Sequence, residues 1–320
     1  MNTDTLVNEI IDGRRLKRDE AQNLIRFFAT EPIEKLSEGA DKIRKQLIGE
    51  RVDLCAIIAG KSGNCSENCK FCAQSAHNST GCEVYKLMDY DEIYAEALND
   101  EKEGVNRFAI VISGRKPSEE DFEKILDIYR RLRSDLKISL CASLGFLTQE
   151  QFNRLHDAGV TNYHNNIETS RSYFDKICTT HSFDDKVANI MRAKNAGLNV
   201  CSGGIIGMGE SFEDRVNMAF DLAELEIKSI PINVLLPIKG TPFEKLRKLT
   251  EEEILRTIAV FKFLNPEADI RLAAGRLLIK ENGKRAFEGG ISSIITGNML
   301  TTTGSTIAKD VDMLKKMKRL

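Results

Sequence analysis

Eight short β-like runs alternate with amphipathic stretches of helical length along this chain, and no other feature restricts its fold as strongly. The runs are "VDLCAIIAG", "NRFAIVISG", "LKISLCAS", "TNYHNNI", "LNVCSGGIIG", "KSIPINVLLP", "ADIRLAAG" and "SSIITG". Each is apolar or β-branched and short enough for a buried strand. Between them, Ser118 with Asp121, Thr148 with Gln151, Ser211 with Asp214, and Thr250 with Glu253 have the spacing of helix N-terminal caps. In "DFEKILDIYRRL", Phe122, Ile125, Leu126 and Tyr129 share one helix face, as a helix covering a sheet requires. Eight strand-then-helix repeats predict an α/β fold, a closed (β/α)8 TIM-type barrel over residues 46–320 with an N-terminal helical extension over 1–45. An open doubly wound sheet is the alternative.

The composition fits such a barrel. With 320 residues, 42% hydrophobic and 29% charged, the chain can bury a large core. No segment approaches the ~20 apolar residues of a membrane span. The start, "MNTDTLVNEIIDGRRLKRDEAQ", lacks the apolar stretch of a secretory signal, so a cytoplasmic location is expected. A net charge of -2, with basic residues dispersed, argues against nucleic acid and anionic membranes and for a small-molecule partner. Eight cysteines are too sparse for a disulfide scaffold.

Three of those cysteines fall in "NCSENCKFCAQSAH", directly after the first run, as Cys65-x-x-x-Cys69-x-x-Cys72. The C-terminal end of a barrel strand is where such enzymes place their chemistry. A structural zinc site wants four ligands, and a ferredoxin-type cluster normally has four thiolates. The remaining reading is a 4Fe-4S cube held at three corners, with the fourth iron open to a ligand that is not protein.

The cysteine spacing resembles the radical S-adenosylmethionine superfamily. Together with "NNIETSRSYF", "VCSGGIIGMGE", "INVLLPIKGTP" and "IRLAAGR", in that order over residues 40–310, it resembles the biotin synthase family. The resemblance implies that the amino and carboxylate groups of S-adenosylmethionine chelate the open iron, and that one electron cleaves the sulfonium to methionine and a 5′-deoxyadenosyl radical. That radical would remove hydrogen from two unactivated carbons of dethiobiotin, chemistry outside the reach of acids and bases but available to cofactor radicals. It further implies a one-electron donor such as flavodoxin or ferredoxin, and a homodimer.

Phe71, between the second and third cysteines, either lies against the adenine or merely covers the cluster. "GGIIGMGE", containing Gly204 and Ile205, lets the backbone approach a flat ligand and lacks the ending of a phosphate loop. Asn166 and Glu168 alternate with Ile167 and share a face; by resemblance they hold the ribose hydroxyls. The resemblance puts Lys186 near the methionine carboxylate, where the family commonly has Arg. It puts Lys61, His164 and Asn233 near the ureido group of the substrate, His164 standing where Asn is common. The threonines of "TTTGST", residues 301–306, are expected at the tail end of the site.

Cys55, Cys141 and Cys201 lie in runs one, three and five, and Arg271 in run seven. Alternate barrel strands supply each interior layer, so one layer can hold three thiols and a guanidinium, a second metal site. Each cysteine alone is an ordinary small core residue, but an unpaired interior Arg is costly. The resemblance implies an auxiliary iron-sulfur cluster here that donates the sulfur of the product, with Arg271 as ligand or neighbour. The usual second-strand cysteine is absent, since Ala109 occupies its position, while Cys55 stands where serine is usual. The cluster expected is therefore either 2Fe-2S or the four-iron form with an extra sulfide, as in a subclass associated with anaerobes. Cys82 and Cys178 are read as a functionless loop thiol and a packing residue, His77 and His181 as ordinary surface or loop histidines.

Overall fold

The computed structural model describes residues 1–297 and 305–320. Three helices, α1 (Thr3–Ile11), α2 (Ala21–Thr30) and α3 (Ile33–Leu47), precede the first strand. The strands are β1 (Asp53–Lys61), β2 (Arg107–Ile112), β3 (Ser139–Ser143), β4 (Asn162–His164), β5 (Asn199–Cys201), β6 (Gly204–Ile206), β7 (Ser229–Val234), β8 (Asp269–Leu272) and β9 (Ser293–Ile295). The helices between and after them are α4 (Tyr90–Lys102), α5 (Glu119–Asp135), α6 (Gln149–Asp157), α7 (Phe183–Asn195), α8 (Phe212–Glu224), α9 (Glu251–Leu264), α10 (Lys280–Phe287) and α11 (Ile307–Lys316).

All strand pairings are parallel, and β1 pairs with both β2 and β9. That last pairing closes the ring and rules out the open doubly wound sheet. The fifth run is interrupted: β5 stops at Cys201, Ser202 and Gly203 intervene, and β6 resumes at Gly204, so the eight barrel positions are built from nine segments. Gly203 and Gly204 explain the break. A Cβ on Gly203 would meet the Pro231 carbonyl oxygen at 2.0 Å, and one on Gly204 would meet the Glu168 carbonyl oxygen at 2.4 Å. Only residues without a side chain allow the neighbouring strands to close in here.

The capping expectations hold. Ser118 accepts from Asp121 N, and Thr148, Ser211 and Thr250 form full reciprocal boxes with Gln151, Asp214 and Glu253. Phe122, Ile125, Leu126 and Tyr129 are all fully buried on the sheet-facing side of α5. Among the described residues no helix is long and apolar enough to cross a membrane.

Candidate functional site

The loop after β1 carries Cys65, Cys69 and Cys72 as free, half-buried thiols at the C-terminal end of the barrel. Asn78 Nδ2 donates to the Cys69 carbonyl at 3.2 Å and to the Cys72 carbonyl at 2.8 Å, and Cys65 exchanges backbone bonds with Gln74 and Ala76. The loop is thus folded on itself before any ligand binds. Burial pushes the Cys72 thiol up to about 11.

Phe71 and Cys72 line one end of a cavity of about 740 Å³ that runs down the barrel axis past His164, Asn166, Glu168 and Asn233 to Cys55, Cys141, Cys201 and Arg271. Near its upper end, Asn166 Oδ1 accepts from Gly203 N at 3.0 Å, and Ile205 N donates to the Glu168 carbonyl at 2.8 Å. Glu168 sits at a φ of 69°. Its Oε1 is 3.7 Å from Lys186 Nζ, and its buried Oε2 has no partner among the described residues. A carboxylate oxygen left bare in a cavity wall suits a ligand with hydroxyl donors. The Asn233 side chain bridges Gly204 and Ala274, both at 3.3 Å. Burial lowers His164 to about 4, so the ring is neutral near pH 7.

Lys61 stands apart from this arrangement. Its Nζ pairs with Asp121 Oδ2 at 2.7 Å, outside the cavity lining. Of the threonines expected at the tail end of the site, Thr301, Thr302 and Thr303 lie outside the described residues, and Thr306 caps α11 away from the cavity lining.

Deeper in the barrel, Cys55, Cys141 and Cys201 are all buried and free. Burial pushes the Cys55 thiol up to about 11, against the opposing pull of Arg271, and raises Cys141 further. Burial opposes the Arg271 cation, but Cys55, Cys201, Asp53 and Cys141 outweigh it and hold it charged. Each member of the layer therefore feels the others. The three sulfurs nevertheless do not fall within 4.8 Å of one another. Thiols spaced around a multi-atom cluster have to stand apart in this way, and three soft donors suit iron-sulfur ligation.

The sequence reading missed the polar frame of this layer. Arg271 donates to Asp53 at 2.8 Å and to Ser293 Oγ at 2.6 Å, Arg107 donates to Asp53 at 2.9 Å, and Ser229 Oγ is 3.4 Å from Cys201 Sγ. Asp53 and Arg107 each lie two residues before an inward-facing position, Cys55 and Ala109, so the period of two could have found them. Also missed was Glu210, which accepts from Gly207 N, Met208 N and Arg215 Nε at 2.7 to 2.8 Å and shapes the "GMGE" turn.

Cys178 packs in the hydrophobic core, in keeping with the packing role read for it, whereas His181 departs from a surface role. Cys178 is buried with its Sγ 3.7 Å from Cys69 Sγ and 3.4 Å from His181 Nδ1. His181 is buried too, bonded to Glu67 rather than to solvent. Burial would raise the Glu67 carboxyl, but His181, Thr180 and Arg115 outweigh it and hold it below its ordinary value. The loop that follows the 3-10 turn Phe174–Lys176 folds over the cysteine loop and encloses both residues.

Two family models match: the Radical SAM superfamily over residues 61–222, and the Biotin and Thiamin Synthesis associated domain over 231–319. Biotin synthase of Alkaliphilus metalliredigens is 54% identical over 317 residues, covering 99% of each chain. That of Acetivibrio thermocellus is 51% identical over 310 residues, covering 97% of this chain and 96% of its own. Among solved structures, methylornithine synthase superposes with a TM-score of 0.83 at 21% identity, covering 98% of this chain and 96% of that one. The hydrogenase maturase HydG from Carboxydothermus hydrogenoformans gives 0.81 at 18%, covering 99% and 78%. These two share the fold alone. With identity near half over almost its whole length and both domain models in sequence, the chain belongs to the biotin synthase family of radical S-adenosylmethionine enzymes.

Proposed function

We propose that the chain converts dethiobiotin to biotin with Cys65, Cys69 and Cys72 holding a 4Fe-4S cube and Cys55, Cys141 and Cys201 holding an auxiliary cluster that supplies the sulfur. The observation that carries this reading is the cavity that runs from Cys72 of the upper set to Cys55, Cys141 and Cys201 of the lower one, with room for a substrate between them. Bound at the upper set, the cube and S-adenosylmethionine supply a carbon radical able to take hydrogen from an unactivated carbon.

The protein's own groups position and exclude. The bare Glu168 oxygen and Asn166 accept ribose hydroxyls, Gly204 and Ile205 offer a flat backbone surface to the adenine, with Phe71 beside it, and Lys186 attracts the methionine carboxylate. Neutral His164 and the Asn233 amide contact the ureido group. Lys61 reaches that group only by leaving Asp121. Arg271 acts as charge partner to the sulfur-donating layer, with Nε and Nη2 held by Ser293 and Asp53 and Nη1 4.0 Å from Cys201 Sγ. Three cysteine ligands favour the four-iron form with an extra sulfide, one iron being left to carry it. A flavodoxin or ferredoxin as electron donor, a homodimer and a cytoplasmic location complete the reading.

Anaerobic iron and sulfide counting followed by a single-turnover assay with dethiobiotin tests it. Two clusters per chain and sulfur transfer from protein to product are expected. Cleavage of S-adenosylmethionine without sulfur transfer would overturn the assignment of the lower layer.

A further inference from the structure

Cys178 and His181 take no part in that chemistry, yet they lie against one of its ligands. Cys69 and Cys178 come from loops 109 residues apart, and their sulfurs are 3.7 Å from one another. Asn68 pins the two loops together: its Oδ1 accepts from Thr179 N at 2.9 Å and from Cys178 Sγ at 3.3 Å, and its Nδ2 donates to Thr179 Oγ1 at 2.7 Å. Cys178 is 2% exposed, whereas Cys69 is half-buried.

We propose that Cys69 and Cys178 form a reversible disulfide in the cluster-free enzyme, an oxidative modification site that masks a cube ligand. The proposal rests on Cys69 being such a ligand, since iron bound to its sulfur prevents the bond. Closing the pair takes the sulfurs from 3.7 Å to about 2.05 Å, a distance side-chain rotation can cover.

Hydrogen peroxide serves as the oxidant. One thiolate of the pair attacks a peroxide oxygen, gives a sulfenic acid and releases hydroxide. The other thiolate then attacks the sulfenic sulfur, forms the S–S bond and expels a second hydroxide. Each hydroxide takes up a thiol proton. With the two thiol protons, the products are one disulfide and two waters, and two electrons have passed to peroxide. A thiol reductant reverses the bond by exchange. Without a resolving partner, Cys69 would continue to sulfinic acid, which reductant does not recover.

The full chain, stripped of iron and reduced, is treated with hydrogen peroxide, alkylated and mapped by peptide mass. A Cys69–Cys178 cross-link is expected in the stripped protein and none in the cluster-loaded protein. After dithiothreitol, oxidised wild type should regain its cube on incubation with iron and sulfide, whereas Cys178→Ala and Cys178→Ser should retain at least tenfold more Cys69 sulfinic acid. Linkage of Cys69 to Cys65 or Cys72, or equal sulfinic acid in wild type and variants, would overturn the proposal. An unoxidised control that takes up no cube would count against the cube assignment itself, which separates the two failures.

Discussion

Arg271 Nη2 lies 2.8 Å from Asp53 Oδ2, and that same oxygen accepts from Arg107 Nε at 2.9 Å. One carboxylate thus pairs with two guanidinium groups, the buried Arg271 and the partly exposed Arg107. Removing it leaves Arg271 without its carboxylate, and breaking a buried pair costs about 3–5 kcal/mol. Asp53→Ala should therefore lower unfolding free energy by about 3 kcal/mol while auxiliary iron stays at the wild-type level, because thiolates hold it. Anaerobic denaturation with iron analysis checks both quantities. Iron lost from a folded variant would make Arg271 a ligand dependent on Asp53 for its orientation.

Cys55→Ala removes one of three sulfurs from the lower layer and touches nothing in the loop after β1. Auxiliary iron should disappear while the cube of Cys65, Cys69 and Cys72 remains and S-adenosylmethionine is still cleaved under reduction. Retention of all the iron would exclude Cys55 as a ligand.

Glu168→Gln keeps the volume of a side chain whose Oε2 is buried without a partner among the described residues, but removes the charge that its ligand hydroxyls would meet. A hydrogen bond to a charged group contributes about 1.5–3 kcal/mol, so affinity for S-adenosylmethionine should fall about 10- to 100-fold. Equilibrium binding to the cluster-loaded protein measures this. Unchanged affinity would place the ribose elsewhere.

Asp100, near the end of α4, is buried, and that burial together with Glu96 raises its carboxyl to about 7. In the unfolded chain it titrates near 3.9, so the folded state holds the proton more tightly. Its stabilising contribution is complete below about pH 4, declines as pH rises and is gone above about pH 7. Asp100→Asn should match wild type at pH 4 and exceed it at pH 8 by about 6 °C in Tm. Parallel melting curves at the two values would refute the shift.

The barrel was legible because its two periods are local. Alternation over two residues put Cys55, Cys141, Cys201 and Arg271 on inward faces, and helical spacing put Phe122 and Tyr129 on the sheet. The break between Cys201 and Gly204 has a local signal in the Gly203–Gly204 pair, but no period in the sequence encodes the approach of Pro231 and Glu168 that requires it. The Cys178 and His181 contacts were invisible for a different reason. Their partners Cys69 and Glu67 are more than a hundred residues away, and no periodic pattern encodes which loops meet. The local signal was a cysteine three residues before a histidine, a spacing at which two side chains can share one turn of the chain. Lys61 shows the converse: resemblance suggested a ligand contact, and a carboxylate at the start of α5 took the ammonium first.

The interrupted fifth strand also separates two jobs mechanically. Below the gap, Cys201 keeps step with His164 and Ser229; above it, Gly204 keeps step with Ile232 and touches Glu168. Ser202 and Gly203, held by Ser229, Asn166 and Glu168 rather than by the strand ladder, separate the two halves. The layer that carries Cys201 can thus accept different side chains while the layer that carries Gly204 keeps its alignment.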